Sequence, residues 1–158
     1  IAIRYPRGNA HQGLREYQAP VEYGRSEIIR KGKKIAVLGV GSMLPSCMEI
    51  CKGLKDDGYD PTFVNARFVK PLDVDLLDEL AKDHSLFVTV EENVKSGGYG
   101  EHVSAYMEAC HPEIRVLSAA VWDRFVPQGN VESLRSRIGL GVEDIRQAIE
   151  DSEELREQ

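Results

Sequence analysis

Lys34-Ile35-Ala36-Val37-Leu38-Gly39-Val40-Gly41-Ser42 is the stretch on which the fold turns. From Ile35 to Val40 it is apolar throughout. This is the pattern of a strand buried on both faces, as in a parallel sheet covered by helices. Gly41-Ser42 breaks the strand. Beyond it Leu44, Cys47, Met48, Ile50, Cys51 and Leu54 lie on one helical face, which predicts a helix from Leu44 to Lys55 that stops at Gly58.

Working outward, Arg25 to Arg30 reads as a strand joined to the first through Lys31-Gly32-Lys33, and the short link predicts a hairpin with an antiparallel edge strand. Downstream the pattern alternates. Thr62 to Asn65 is a short strand, and Val74 to Lys82 a helix with Leu76, Leu77 and Leu80 inward. Leu86 to Val90 is another apolar strand, and Gly97-Gly98-Tyr99-Gly100 leads into a helix near Glu101 to Cys110. Ile114 to Leu117 gives the last strand, before helices at Val131 to Ile138 and Val142 to Ile149. Parallel strands need crossover connections, so this order predicts an α/β three-layer sandwich with a mostly parallel five-stranded sheet and one antiparallel edge strand.

Residues 1–20 read as the end of a preceding domain and a linker, because the chain opens at Ile1 inside an apolar stretch and then loses periodicity. Residues 21–150 form the domain proper, and 151–158 a charged, solvated tail. At 158 residues with 42% apolar and 29% charged composition, one compact core is expected. A formal charge of -6 argues against nucleic-acid or anionic-membrane partners, which demand excess Lys and Arg. No apolar run approaches the roughly 20 residues that cross a bilayer, and a cytoplasmic protein is expected. The three cysteines show no zinc or disulfide spacing and read as reduced thiols, with Cys47 and Cys51 in the core.

Several residues stand where chemistry is done. Arg4 and Arg7 flank Pro6 in Arg4-Tyr5-Pro6-Arg7-Gly8, and guanidinium forks suit phosphate oxygens; the alternative is two solvated arginines beside a linker. Gly39-Val40-Gly41-Ser42 is either an ordinary tight turn or an anion cradle at a helix start, without the third glycine and acidic residue of a dinucleotide fingerprint. Asp73 is placed to cap the helix that follows it. Arg67 stands at the carboxyl end of a parallel strand, the edge where open α/β sheets place ligands and interfaces. Glu91 and Glu92 are adjacent, and successive strand side chains point to opposite faces, so the two cannot converge on one atom. One of them is expected to pair with Arg67, the other to face a partner domain or solvent. The four histidines share no ligand spacing and no serine or cysteine sits in a nucleophile elbow, so neither a metal site nor covalent catalysis is expected.

Ala2-Ile3-Arg4-Tyr5-Pro6-Arg7-Gly8, Ala66-Arg67-Phe68-Val69-Lys70-Pro71-Leu72-Asp73, Thr89-Val90-Glu91-Glu92-Asn93 with Gly97-Gly98, and Asp123-Arg124-Phe125-Val126-Pro127-Gln128-Gly129 occur in that order. Together they resemble the C-terminal part of the 1-deoxy-D-xylulose-5-phosphate synthases, thiamine-diphosphate enzymes of the transketolase superfamily. Val121-Trp122 departs from the Leu-Pro usual there, which bears on local loop shape.

The resemblance implies a transketolase C-terminal-like domain of a homodimeric enzyme. That enzyme decarboxylates pyruvate and passes the two-carbon unit to glyceraldehyde 3-phosphate, toward isoprenoid and thiamine precursors. It implies that thiamine diphosphate and Mg2+ are bound by upstream domains of the same polypeptide, with no catalytic or cofactor-binding residue on this segment. Arg7 matches the family arginine that grips the acceptor's phosphate, with Arg4 as its support. Arg67, Glu91 and Glu92 are left as interface or domain contacts. The alternatives are the C-terminal domain of another thiamine-diphosphate enzyme (a 2-oxo acid dehydrogenase beta subunit or a transketolase), a non-catalytic assembly module, and a receiver-like or nucleotide-binding domain.

Overall fold

The computed structural model describes residues 1–3, 5, 11–17 and 19–154, the last two by backbone only. Arg4 and Arg7 lie outside the described residues. The strands are β1 (Glu27–Arg30), β2 (Lys34–Gly39), β3 (Thr62–Asn65), β4 (His84–Val94) and β5 (Arg115–Val121). The helices are α1 (Leu44–Asp56), α2 (Val74–Ala81), α3 (Tyr99–Cys110), α4 (Val131–Arg137) and α5 (Val142–Glu154).

The five strands form one sheet in the order β1-β3-β2-β4-β5, parallel except for β1, which runs antiparallel to β3. The predicted α/β sandwich and its antiparallel edge strand are therefore present. The predicted hairpin is not. β1 pairs with β3, Ile28 opposite Val64, and β3 lies between β1 and β2. The reason lies in burial. β2 is enclosed from Ile35 to Gly39 and needs neighbours on both sides, whereas β1 is half-buried along its length and suits an edge. The link Lys31-Gly32-Lys33 crosses the end of β3, where the Lys33 N–H donates to Asp60 O at 2.6 Å. Two strand spacings are about 10 Å, within reach of three extended residues.

Alternation along each strand sorts the core into two layers. Ile35 and Val37 of β2 with Leu86, Val88 and Val90 of β4 meet Cys47, Ile50, Cys51 and Leu54 of α1 and Ile145 and Ile149 of α5. On the other face Ala36, Leu38, Val64 and Phe87 meet Leu77 and Leu80 of α2 and Val103 and Met107 of α3. Each fully buried Leu or Ile contributes roughly 1.5–3 kcal/mol through the apolar area it removes from water. Cys47 and Cys51 are core residues as expected, and burial pushes the Cys51 thiol up to about 12.

Two elements run longer than their apolar pattern. β4 continues through Glu91-Glu92-Asn93 to Val94. α5 continues past Ile149 to Glu154, and Ser152 there is buried with its hydroxyl donating to Ile149 O at 2.8 Å. The charged tail thus begins inside a packed helix. At its start α5 is tied to α1 by Arg146, which reaches Asp57 and Glu143.

Candidate functional site at the carboxyl edge of the sheet

The parallel strands end together: Gly39 stands opposite Asn65 of β3 and Val90 of β4, and Val90 opposite Ala119 of β5. Arg67, Glu91, Glu92, the glycine turn after β2 and the segment after β5 therefore share one rim.

Glu91 is 1% exposed and faces α3. Its two oxygens accept from the N–H groups of Tyr99 at 3.0 Å and Gly100 at 2.8 Å, so the carboxylate caps α3 at the positive end of the helix dipole. The glycines leave room for it. A Cβ on Gly98 would stand 2.5 Å from Glu91 Oε1, and one on Gly100 would stand 2.2 Å from Ser118 Oγ and 2.5 Å from Thr89 Oγ1. The Gly97-Gly98-Tyr99-Gly100 segment is thus a close approach of helix to sheet.

Glu92 points to the opposite face, as the strand period predicted. It accepts from Arg135 Nε at 3.0 Å and from the Ser42 hydroxyl at 2.9 Å, joining α4 to the turn that follows β2. The Arg135 guanidinium holds the Glu92 carboxyl below the usual carboxylate range, against the partial burial that pushes it up. The turn at Gly41–Met43 forms a short 3-10 helix. Ser42 is occupied by this carboxylate, which favours the reading as a structural turn.

Arg67 pairs with neither glutamate, contrary to expectation. Its Nη2 lies 2.6 Å from Glu27 Oε2 on β1, and its guanidinium donates to the carbonyls of Pro20 at 3.1 Å and Ala19 at 3.2 Å. Because β1 lies beside β3, a carboxylate 40 residues earlier is nearer than those on β4. Arg67 itself adopts φ 53°, the left-handed region, which turns the chain away from β3 toward that partner. The entering chain is held further by Arg25 to Asp73 and Asp75, by Ser26 N–H to Asp73, and by Tyr23 edge-on to Phe68. Asp73 also caps α2 at Leu76 N–H, as predicted.

Glu27 and Arg135 are the rim residues that the motifs did not single out. No periodicity connects Glu92 to a helix 43 residues later, and no motif connects Glu27 to Arg67. Beyond β5 the rim is open and exposes two aromatic rings. Trp122 is 57% exposed with Lys95 Nζ 4.8 Å above its ring, and Phe125 is fully exposed.

Among the described residues no three His, Cys, Asp or Glu side chains converge as a metal site, and no helix is long and apolar enough to cross a membrane. Glu91 already holds two amides, and Glu92 and Glu27 each hold an arginine. These side chains do not fit a cofactor diphosphate with its Mg2+.

Residues 24–145 match the family model described as transketolase, C-terminal domain. The chain belongs to this family. Among curated proteins, this transketolase C-terminal domain is 40% identical over 146 residues to the 1-deoxy-D-xylulose-5-phosphate synthase of Lachnoclostridium phytofermentans, covering 92% of this chain and 23% of that protein. It is 40% identical over 150 residues to the synthase of Dictyoglomus thermophilum, covering 94% and 24%. The chain therefore spans about a quarter of the length of the curated relatives it matches. Among solved structures, a split-gene transketolase described as an inactive beta4 tetramer superposes with a TM-score of 0.77 at 29% identity, over 83% of this chain and 43% of that one. A transketolase from Campylobacter jejuni shares the fold, at TM-score 0.56, 18% identity, and coverage of 81% and 18%.

Proposed function

We propose that this domain serves a 1-deoxy-D-xylulose-5-phosphate synthase, a transferase that condenses pyruvate with glyceraldehyde 3-phosphate with release of CO2. The observation that carries the reading is 40% identity to such synthases over more than nine-tenths of the chain. In the intact enzyme thiamine diphosphate supplies the carbanion chemistry from other domains of the polypeptide. This domain contributes packing and self-association into a homodimer, and the segment that precedes it contributes one cationic grip.

That grip is Arg7, which binds the phosphate of the acceptor, with Arg4 as its support. Arg67 and Glu92 act as domain contacts, since the first holds the entering segment at Ala19 and Pro20 and the second holds α4 at the open rim. Glu91 is enclosed, so it acts on any contact only through the position of the α3 N-terminus. In the intact enzyme Arg7→Ala is expected to raise the acceptor KM by about a hundredfold, the cost of a lost charge-assisted pair, and to leave the pyruvate KM unchanged. An unaltered acceptor KM removes the assignment.

A second reading is a transketolase, favoured by the 29% identity to the split-gene transketolase. Steady-state turnover of the intact enzyme separates the two. A synthase consumes pyruvate and releases CO2, whereas a transketolase takes its two-carbon unit from a ketose phosphate.

A further inference from the structure

The two edges of the sheet are built differently. β1, outermost on one side, has four residues, charges at both ends in Glu27 and Arg30, and a register break between Ile28 and Arg30. Such features keep an edge from pairing with other chains. β5, outermost on the other side, is the seven-residue run Arg115-Val116-Leu117-Ser118-Ala119-Ala120-Val121, with one charge and no proline. Val116 packs with the α3 cluster, and Leu117, Ala119 and Val121 with the α1/α5 cluster, while Ser118 lines an open pocket on the α3 side. Residues 116–119 and 121 stay partly exposed. For the packed Leu117, Ala119 and Val121 that exposure runs along the outer edge, where among the described residues no strand pairs.

We propose that β5 pairs antiparallel with β5 of a second copy of this chain, about a two-fold axis at Ser118, joining two sheets into one. Two identical strands related by a two-fold axis can lie side by side only antiparallel, and the contact closes at two copies. This register sets Val116 against the partner's Ala120 and Leu117 against the partner's Ala119, so no like charges face each other across the ladder. It sets Arg115 against the partner's Val121, with the partner's Asp123 two residues beyond the end of that strand. Two symmetric Arg115–Asp123 pairs then frame the ladder. Arg115 uses one donor on Ser152 O at 3.2 Å and keeps the rest of its fork for this contact. Trp122 and Phe125, exposed immediately beyond the strand, place apolar surface beside the ladder.

The inference rests on the proposed self-association and names the segment that makes it. Sedimentation of the 158-residue chain across a concentration series, combined with amide exchange, tests both. The expected result is a dimer in which exchange of residues 115–121 slows as concentration rises while that of 27–30 does not. Arg115→Asp is expected to weaken the dimer about tenfold, from two exposed ion pairs, and adding Asp123→Arg to restore it. A dimer whose new protection lies elsewhere removes the strand and keeps self-association. A monomer at every concentration removes both and leaves the synthase reading untouched. Failure of the charge swap to restore pairing removes the register.

Discussion

The two ends of the sheet solve one problem with different chemistry. At the amino end the Gly32 N–H donates to Thr62 Oγ1 at 2.9 Å, and Thr62 Oγ1 lies 2.7 Å from His84 Nε2. His84 Nδ1 in turn lies 2.8 Å from Leu80 O. A carbonyl only accepts, so Nδ1 carries the proton and Nε2 takes the threonine's; the chain is complete with a neutral ring. At the carboxyl end the same duty falls to carboxylates: Glu91 on α3, Glu27 on Arg67, Glu92 on Arg135. Neutral hydrogen bonds close one end against acid only while His84 is uncharged. Charge-assisted contacts hold the other end. The domain contacts proposed for Arg67 and Glu92 lie at the charged end.

The contrast can be broken most severely at Glu91. Glu91→Ala strips two amides of α3 of a buried acceptor, and a loss of about 3 kcal/mol is expected in urea unfolding. A loss below about 1 kcal/mol would mean that water replaces the carboxylate. Glu27→Ala is expected to cost about 2 kcal/mol, since it leaves the largely enclosed Arg67 without its counter-charge, and to speed proteolysis between residues 11 and 26. Unchanged cleavage there would show that Ala19 and Pro20 are held without the arginine.

At the amino end Thr62→Val is expected to cost about 1 kcal/mol by orphaning the Gly32 N–H. The pH dependence sharpens this. Burial lowers the His84 pKa, so the unfolded chain binds the proton more readily than the folded one. Stability should be fully present above about pH 6.5, the unfolded value, and fall as pH drops through the lower folded value. Thermal melts from neutral to mildly acid pH should show this fall, and His84→Gln should flatten it; identical slopes would exclude the ring. The smallest effect belongs to Arg135→Ala, about 0.5 kcal/mol for a half-exposed pair with Glu92, and it should vanish near 1 M salt. A loss that persists in salt would mark packing rather than charge.

Legibility followed the range of each interaction. Strand β2 and helix α1 were readable because Ile35 to Val40 and the face from Leu44 to Leu54 carry their own periodicity. The opposite directions of Glu91 and Glu92 were readable for the same reason. The end of β4 was not, because Glu91-Glu92-Asn93 interrupts the apolar run; its pairing continues where polar side chains meet a helix terminus and an arginine. α5 outran its pattern because Ser152, a polar residue, is buried by satisfying itself on Ile149 O.

The chain by itself determined the succession of strands and helices, the antiparallel character of the first strand, the cap at Asp73 and the family motifs, since all of these are carried by spacing and local backbone preference. Only the tertiary structure decided that β3 lies between β1 and β2, that Arg67 therefore meets Glu27, and that Arg135 meets Glu92. Those contacts join residues 40 or more positions apart, and which carboxylate stands within reach of an arginine depends on strand order in space, which local sequence does not encode.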